Sequence, residues 1–546
     1  MTNPQLDAGA PVEDFTAETL RLLGEMRAPQ RRSRLVQVGY ALYAGLLLVA
    51  SWGGLFALGL FQKASLGADY TVHRQAVLAA LPAGLTALAL GTLLLAARDA
   101  LWRGPVVPPR ATVDWLLAHP VERTPVVRPW FWVSCGLALL PGLLGTGALT
   151  VLLALTDRAS ALLTLGWCAA GGVCVPLLAT AAALGVERFE GAARFVGRAT
   201  PYVTGLVLLL AAQSGFAAAG DRLRPAELAE MWSGPWGWPA LCALAPTTAR
   251  HALPQLALLL LLLTTAAGLL LADRSVGRIS ITELRRRSRT AADVAASLRT
   301  TELRTARQTV DRATAVPRPP RLRLPAPRRA WAVIPWRDAV GLLRAPGRIG
   351  KAVAFAAPAM LLGLPATAAR GFTSLVLTVI ALVLGYLSVA QLAEPARVEA
   401  DDTTRSGWSP YPYPALMLRH GLLPAAAGML LAAILATALG AAPAAYLAVA
   451  VVPPLVAAAL VNACRGPARQ DLMLTTAQVP GGSAGPFLFA AWYAAGPGVA
   501  IVVLAGPLVT TLHAPTAAHL ATTCVLAAAT TAVLALWAKQ RATKTA

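Results

Sequence analysis

The sequence predicts an all-α polytopic membrane protein: twelve transmembrane helices in two six-helix halves, with a helical and proline-rich cytosolic insertion between them. Three observations carry that prediction. Hydrophobic residues fill 56% of the 546 positions and charged residues only 13%, about half the charged share of an ordinary globular chain. Uncharged stretches of bilayer-spanning length recur along the chain. The 47 Lys and Arg fall between those stretches, overwhelmingly on one side. A soluble enzyme is excluded, and the net charge of +21 reads as topology rather than as affinity for nucleic acid.

The first 34 residues hold Glu13, Asp14, Glu18 and Glu25 and no apolar core before Leu35. The expectation is therefore a cytosolic amino terminus with no cleavable signal peptide. Beyond it, a charge at mid-bilayer costs roughly 2.5 to 3.5 kcal/mol on insertion scales, so gaps between charged residues measure the spans. Eight gaps fit one helix each: 35–62, 75–97, 129–156, 159–186, 199–220, 251–272, 352–369 and 371–393. Two more, 420–464 and 472–538, are long enough for helical hairpins with breaks near Gly440–Pro443 and His513–Pro515. Together these give twelve spans, with both termini cytosolic. The division then leaves 40 Lys and Arg on the cytosolic side and 7 outside.

Another uncharged gap, 231–249, carries Pro235, Gly237, Pro239 and Pro246, which disfavour a straight helix. Counting it as a span would also invert the rest of the chain and translocate the Arg-dense stretch 274–351, against the positive-inside rule. With Trp232, Trp236 and Trp238 among its prolines, the segment reads as a re-entrant or interfacial helix pair; an aromatic-anchored surface loop is the other reading.

The division into halves follows. Residues 1–34 form an N-terminal interfacial helix region, 35–272 the first six-span half, and 273–351 the basic insertion with a second interfacial helix. Residues 352–538 form the second half, and 539–546 a cytosolic tail. LRLLGEMRAPQRR (Leu20–Arg32) and RDAVGLLRAPGRI (Arg337–Ile349) each place apolar residues at helical spacing before Arg-Ala-Pro, at Arg27 and Arg344, just ahead of a half. The insertion has a helix-forming first part and then VPRPPRLRLPAPRR, an extended linker. Its basic run reads as a solvated linker, or as a surface for acidic lipid headgroups or an acidic partner.

Catalytic signatures fail on context. Gly347–Lys351 lacks the first glycine and the trailing Ser or Thr of a Walker A loop. Gly481-Gly482-Ser483-Ala484-Gly485 fits a nucleophile pattern but falls in a loop between spans. The six cysteines have no C-x-x-C spacing, and most lie in apolar stretches. His119 and His420, at the inner ends of loops, suit capping or interfacial hydrogen bonds better than a metal. No Asp, Glu, Lys or Arg falls within a predicted span, so ion-coupled transport lacks its usual groups.

What remains is the loop between spans two and three, GPVVPPRATVDWLLAHPVERTPVVRPW. Its segment Asp114-Trp115-Leu116-Leu117-Ala118-His119-Pro120-Val121, followed by Glu122, Arg123 and Arg128, resembles the D-x-L-L-x-x-P-V pattern of ABC-2-type exporter permeases. The Pro235-Trp236-Gly237-Trp238 loop adds a match to a twelve-span actinobacterial family of unassigned substrate. That resemblance implies an ABC transporter permease without ATPase motifs and so not itself an enzyme. It further implies Asp114, Trp115, Leu116, Leu117, Pro120, Glu122 and Arg123 docking on a separate ABC ATPase subunit, with Arg27 and Arg344 in the flanking interfacial helices. Trp232, Pro235, Trp236 and Trp238 would form the outer re-entrant loop. The chain would carry no cofactor, ATP and Mg belonging to the partner ATPase, present in two copies or with a permease dimer. Its other partners would be membrane lipids and a small hydrophobic or amphiphilic substrate. The second half departs from the pattern, since its loop EPARVEADDTTRSGWSPYPYPALMLRHGLLP has no D-x-L-L segment and offers only Ser406–Pro414 as a contact. Arg exceeds Lys 43 to 4, which with the Ala excess points to a GC-rich bacterial genome and the plasma membrane. A noncatalytic scaffold or sensor that recruits a cytosolic partner is the alternative function.

Overall fold

In hydrocarbon a backbone must satisfy its own N–H and C=O groups, and the described chain does so almost entirely with α-helices. The computed structural model describes residues 16–19, 21–22, 24–25, 36, 40 and 55–545, apart from 68, 158–159, 221, 223, 248–252, 301, 315–324, 326, 369–370, 403–405, 408, 439–446, 467, 475–477 and 480–481. The chain forms two compact units, one of residues 1–298 and 303–315, the other of 299–302 and 316–546.

The first unit contains α1 (Leu55–Ser65), α2 (Arg74–Asp99), the single turn α3 (Arg110–Asp114), α4 (Arg123–Thr156), α5 (Ala161–Arg188) and α6 (Glu190–Ala219). The short pair α7 (Arg224–Trp232) and α8 (Trp238–Leu244) follows, then α9 (Pro254–Ser275), α10 (Ile281–Arg299) and α11 (Leu303–Thr314). The second unit contains α12 (Val333–Arg344), α13 (Pro346–Ala368), α14 (Phe372–Leu392), α15 (Glu394–Asp401), α16 (Tyr413–Arg419), α17 (Leu422–Ala438) and α18 (Leu447–Ala463). After α18 come the strands β1 (Gln478–Val479) and β2 (Gly482–Ser483), then α19 (Gly485–Tyr493), α20 (Ala495–His513) and α21 (Ala517–Thr545). The strands pair antiparallel, Gln478 with Ser483 and Val479 with Gly482, so the segment expected to be plain loop holds a small hairpin.

Among the described residues nine helices are long and apolar enough to cross a membrane, which makes this a multi-pass membrane protein. They overlie the expected spans two to six, eight, nine, eleven and twelve. The expected seventh coincides with α13, of 23 residues, and the tenth with the shorter α18, of 17. The first lies largely outside the described residues, as does the expected break at Gly440–Pro443. The break at His513–Pro515 is present, separating α20 from α21.

Small residues let the helices approach. On α4 and α5, Gly142 and Gly172 face each other so closely that a Cβ on either would collide with the other's carbonyl oxygen. Hydroxyls in these apolar helices turn back on their own backbone: Thr146 donates to the Gly142 carbonyl at 3.0 Å, Thr180 to Pro176 at 2.9 Å and Thr511 to Pro507 at 2.8 Å. The second unit packs its core from α14, α18, α20 and α21, through residues such as Leu382, Val389, Leu455, Leu504 and Leu534. Gly172→Leu is expected to cost at least about 1–3 kcal/mol by overpacking α4 against α5, and to abolish the monodisperse gel-filtration peak of detergent-purified protein. Gly166→Ala, with nothing within 4 Å of its Cβ, should leave that peak intact.

Candidate functional site

The loop after α2 doubles back across the ends of α4, α5 and α9. Gly104 has φ +76°, and a Cβ there would meet the Glu187 carboxylate, so both backbone and space require glycine. The Val106 N–H then donates to Glu187 Oε2 at 3.3 Å. Past Pro109 the chain makes the α3 turn and a 3₁₀ turn over Leu116–Ala118. Val113 and Leu117 are buried among Val127, Phe131, Leu184, Val276 and Leu284. With these anchors inside, Trp115 is 75% exposed, Leu116 is half-buried, and Pro120, Glu122 and Arg123 are exposed. The Glu122 N–H donates to Thr16 Oγ1 at 2.7 Å, which ties the N-terminal segment to the same loop.

Helix α10 braces this loop. Arg287 and Glu187 are both 3% exposed, and Arg287 Nη1 lies 3.2 Å from Glu187 Oε1, in ion-pair range without hydrogen-bond alignment. Arg287 Nε is 3.4 Å from Glu283 on its own helix. One position on, Ser288 Oγ donates to the Pro108 carbonyl at 2.9 Å. Around these buried contacts, Asp114 Oδ1 stands 3.4 Å from Arg289 Nη2 and 3.7 Å from Arg285 Nε, and Arg110 pairs with Asp293 at 3.0 Å. The carboxylate of Asp114 is therefore directed to α10, and Trp115 is the side chain that the loop presents. The first part of the insertion, read from the sequence as helix-forming, is the helix α10, and it buries Leu284, Arg287, Ser288 and Val294.

The other expected site residues fall elsewhere. Arg27 lies outside the described residues, and Arg344 is exposed at the end of α12 in the second unit. Trp232, Pro235, Trp236 and Trp238 sit on the α7–α8 turn. Trp236 Nε1 donates to Ser233 Oγ at 2.8 Å, and α8 is buried against α2, α5 and α9. A helix pair, with its second member in the core, replaces the surface-loop alternative. Glu227 on α7 is buried and paired with Arg222 at 2.7 Å. Burial also raises the carboxyl pKa of Glu230, opposed by the neighbouring Gln213 amide.

The second unit has a polar cluster of its own. His420 is fully buried, and its Nδ1 lies 2.6 Å from Asp338 Oδ2 of α12. Its Nε2 lies 3.1 Å from Arg337 Nη2, which also donates to Glu399 Oε2 of α15 at 2.8 Å. This hydrogen-bonded network suits the structural role expected of His420. Among the described residues no cluster of three or more His, Cys, Asp or Glu has the geometry to hold a metal ion.

No family model matches the chain, and no curated protein or solved structure is significantly similar to it. Sequence reasoning missed Glu187, Arg287 and Gly104. One signal was available: α10 carries Leu284, Arg287, Ser288 and Val294 at helical spacing, one buried face in an otherwise Arg-rich run.

Glu187→Gln leaves the Arg287 guanidinium charged and buried without this partner, and is expected to cost ~3–5 kcal/mol. The thermal unfolding temperature of the full chain in detergent should fall accordingly. The double variant Glu187→Leu with Arg287→Met should recover most of that loss, whereas Arg110→Gln, at the exposed pair, should cost less than about 1 kcal/mol.

Proposed function

We propose that this chain is the transmembrane subunit of an ABC-2-type exporter in a bacterial plasma membrane, moving an apolar or amphiphilic molecule with ATP hydrolysed by a separate subunit. The observation that carries this reading is the Asp114–Arg123 loop, whose anchors Val113 and Leu117 are buried while Trp115, Pro120, Glu122 and Arg123 face outward. A tryptophan exposed on a rigidly held loop has the character of an interface anchor. The long helices carry their Asp, Glu, Lys and Arg toward their ends, Arg198 of α6 lying furthest in, which leaves little within the bilayer to couple an ion gradient. Work would then come from a partner's closure against the loop, and the brace to α10 would carry that motion to the end of α5. The resemblance to permeases supplies the partner's identity, an ATPase in two copies, and the twelve-span arrangement with both termini cytosolic.

The test begins with the open reading frame beside this gene, expected to encode an ABC ATPase, which is co-expressed with the chain and purified through a tag on the permease. Trp115→Ala should lower the retained ATPase at least about tenfold if Trp115 is an interface anchor worth ~2 kcal/mol. The exposed control His119→Ala should not. Equal retention by both variants, or a wild-type chain that purifies alone, would refute the exporter reading and favour a scaffold.

A further inference from the structure

Two basic segments of the second unit meet on one tyrosine. Tyr411, between α15 and α16, donates its hydroxyl to the Ala330 carbonyl at 2.9 Å, just ahead of α12, and that bond holds its ring in place. The guanidinium carbon of Arg419, the last residue of α16, stands 3.5 Å from the centroid of the ring. Arg419 Nη1 is buried without an acceptor, and among the described residues the guanidinium makes no hydrogen bond and no ion pair. At the other end of the tyrosine, Ala330 lies between Arg329 and Trp331. Arg328, Arg329 and Trp331 are all exposed, the tryptophan by 58%.

The carboxylates close to this place are held by other groups. His420, next to Arg419, takes Asp338 at 2.6 Å, and Arg337 takes Glu399 at 2.8 Å. Among the described residues no carboxylate lies within ion-pair distance of Arg328, Arg329 or Arg419. A cation–π contact covers one face of a guanidinium and leaves its edge, whose planar donors match phosphate oxygens. A buried donor without an acceptor is a standing cost that such an oxygen removes.

Depth favours a lipid as the source of the phosphate. Helix α16 leads into α17 within one membrane-length stretch, and α12 leads into α13, so both segments lie where long helices begin. The expected span order puts these ends on the cytosolic side, where anionic lipids gather. Tryptophan settles at headgroup depth, and α12, with Val333 and Leu343 exposed, has the make-up of a helix lying in that plane. Apolar groups beside the cations suit a lipid, which carries hydrocarbon below its phosphate, better than an acidic protein surface.

We propose that Arg419, stacked on Tyr411 beside Arg329 and Trp331, binds a phosphate group, that of an anionic phospholipid headgroup or a free phosphate. The site uses no residue of the Asp114–Arg123 loop and needs no ATPase, so it stands or falls apart from the exporter reading.

The test uses the full chain, delipidated in detergent, with phosphatidylglycerol, phosphatidylcholine or millimolar inorganic phosphate added while the unfolding temperature is followed. Phosphatidylglycerol should stabilise well above phosphatidylcholine. Its half-saturating concentration should rise about fivefold or more in Arg419→Gln and stay unchanged in Arg194→Gln, at an exposed position of α6. Stabilisation by inorganic phosphate that also needs Arg419 would support the site and assign it to a free anion. Equal stabilisation by the two lipids with none from inorganic phosphate, or a phosphatidylglycerol effect that survives Arg419→Gln, would overturn it. No response of the wild type to any of the three overturns it as well, and lowered ATPase retention by Arg419→Gln would then give the patch to an acidic partner. Should Arg419→Gln not fold, amide hydrogen exchange of the wild-type chain decides. Phosphatidylglycerol, and not phosphatidylcholine, should slow exchange in peptides covering 327–333 and 409–420, whereas protection confined to other segments overturns the site.

Discussion

The constraint on which the rest of this structure depends is the exclusion of charge from its long apolar helices. An ionised side chain deep in hydrocarbon is costly, so the chain places its ionisable groups at helix ends and in the segments joining them. Inside the bundle, attraction must come from close packing, and polar atoms must be satisfied locally. The facing glycines at 142 and 172 and the threonine hydroxyls turned onto their own backbone are two results of that one restriction. The electrostatic organisation of the molecule is therefore concentrated where the helices stop.

Each unit builds a buried polar knot at such a place, by different chemistry. In the first, Glu187 ends α5 and meets Arg287 from the insertion, with Gly104 admitting the carboxylate and the Val106 N–H answering one oxygen. In the second, His420 holds Asp338 of the helix before α13 while Arg337 bridges to Glu399. Both knots tie a segment outside the long helices to the end of one of them. A buried pair adds little net stability over an apolar pair of similar volume, but losing one partner is severe. Such a pair therefore acts mainly as a register pin: it makes alternative placements of the attached segment expensive.

Much of the helical plan was legible because hydrocarbon imposes a one-dimensional rule that a sequence displays directly. Gaps between charges placed a span over each of the nine membrane-length helices, although α6 starts at Glu190, well before its gap at 199, and α20 starts at Ala495, well inside its gap from 472. The prolines of 231–249 marked a region with no long helix. The ruler is silent about helix ends. Glu187 lies one residue past the uncharged gap 159–186, so it was assigned to a loop, yet α5 continues through Arg188 and buries it. Arg287 was hidden for a related reason, since an arginine within RRRSR looks solvated until its carboxylate partner is known. The loop Asp114–Arg123 was visible as a motif. Which of its residues turn inward depends on the pocket formed by α4, α5, α9 and α10, and no local pattern encodes that pocket.

The brace also decides how a load on the loop would spread. Without α10, a force on Trp115 would pass along the chain to α2 and α4, the helices to which the loop is covalently joined. Tied through Ser288 to Pro108 and through Arg287 to Glu187, the loop shares that force with α5, a helix remote in sequence. Buried contacts of this kind resist gradual deformation because interiors are close-packed, so the loop and the ends of the three helices move together or not at all. The exposed pairs of Asp114 and Arg110 with α10 are too weak to impose this alone. The stiffness resides in Glu187 and Arg287, and the outward set of Trp115 is its consequence at the surface.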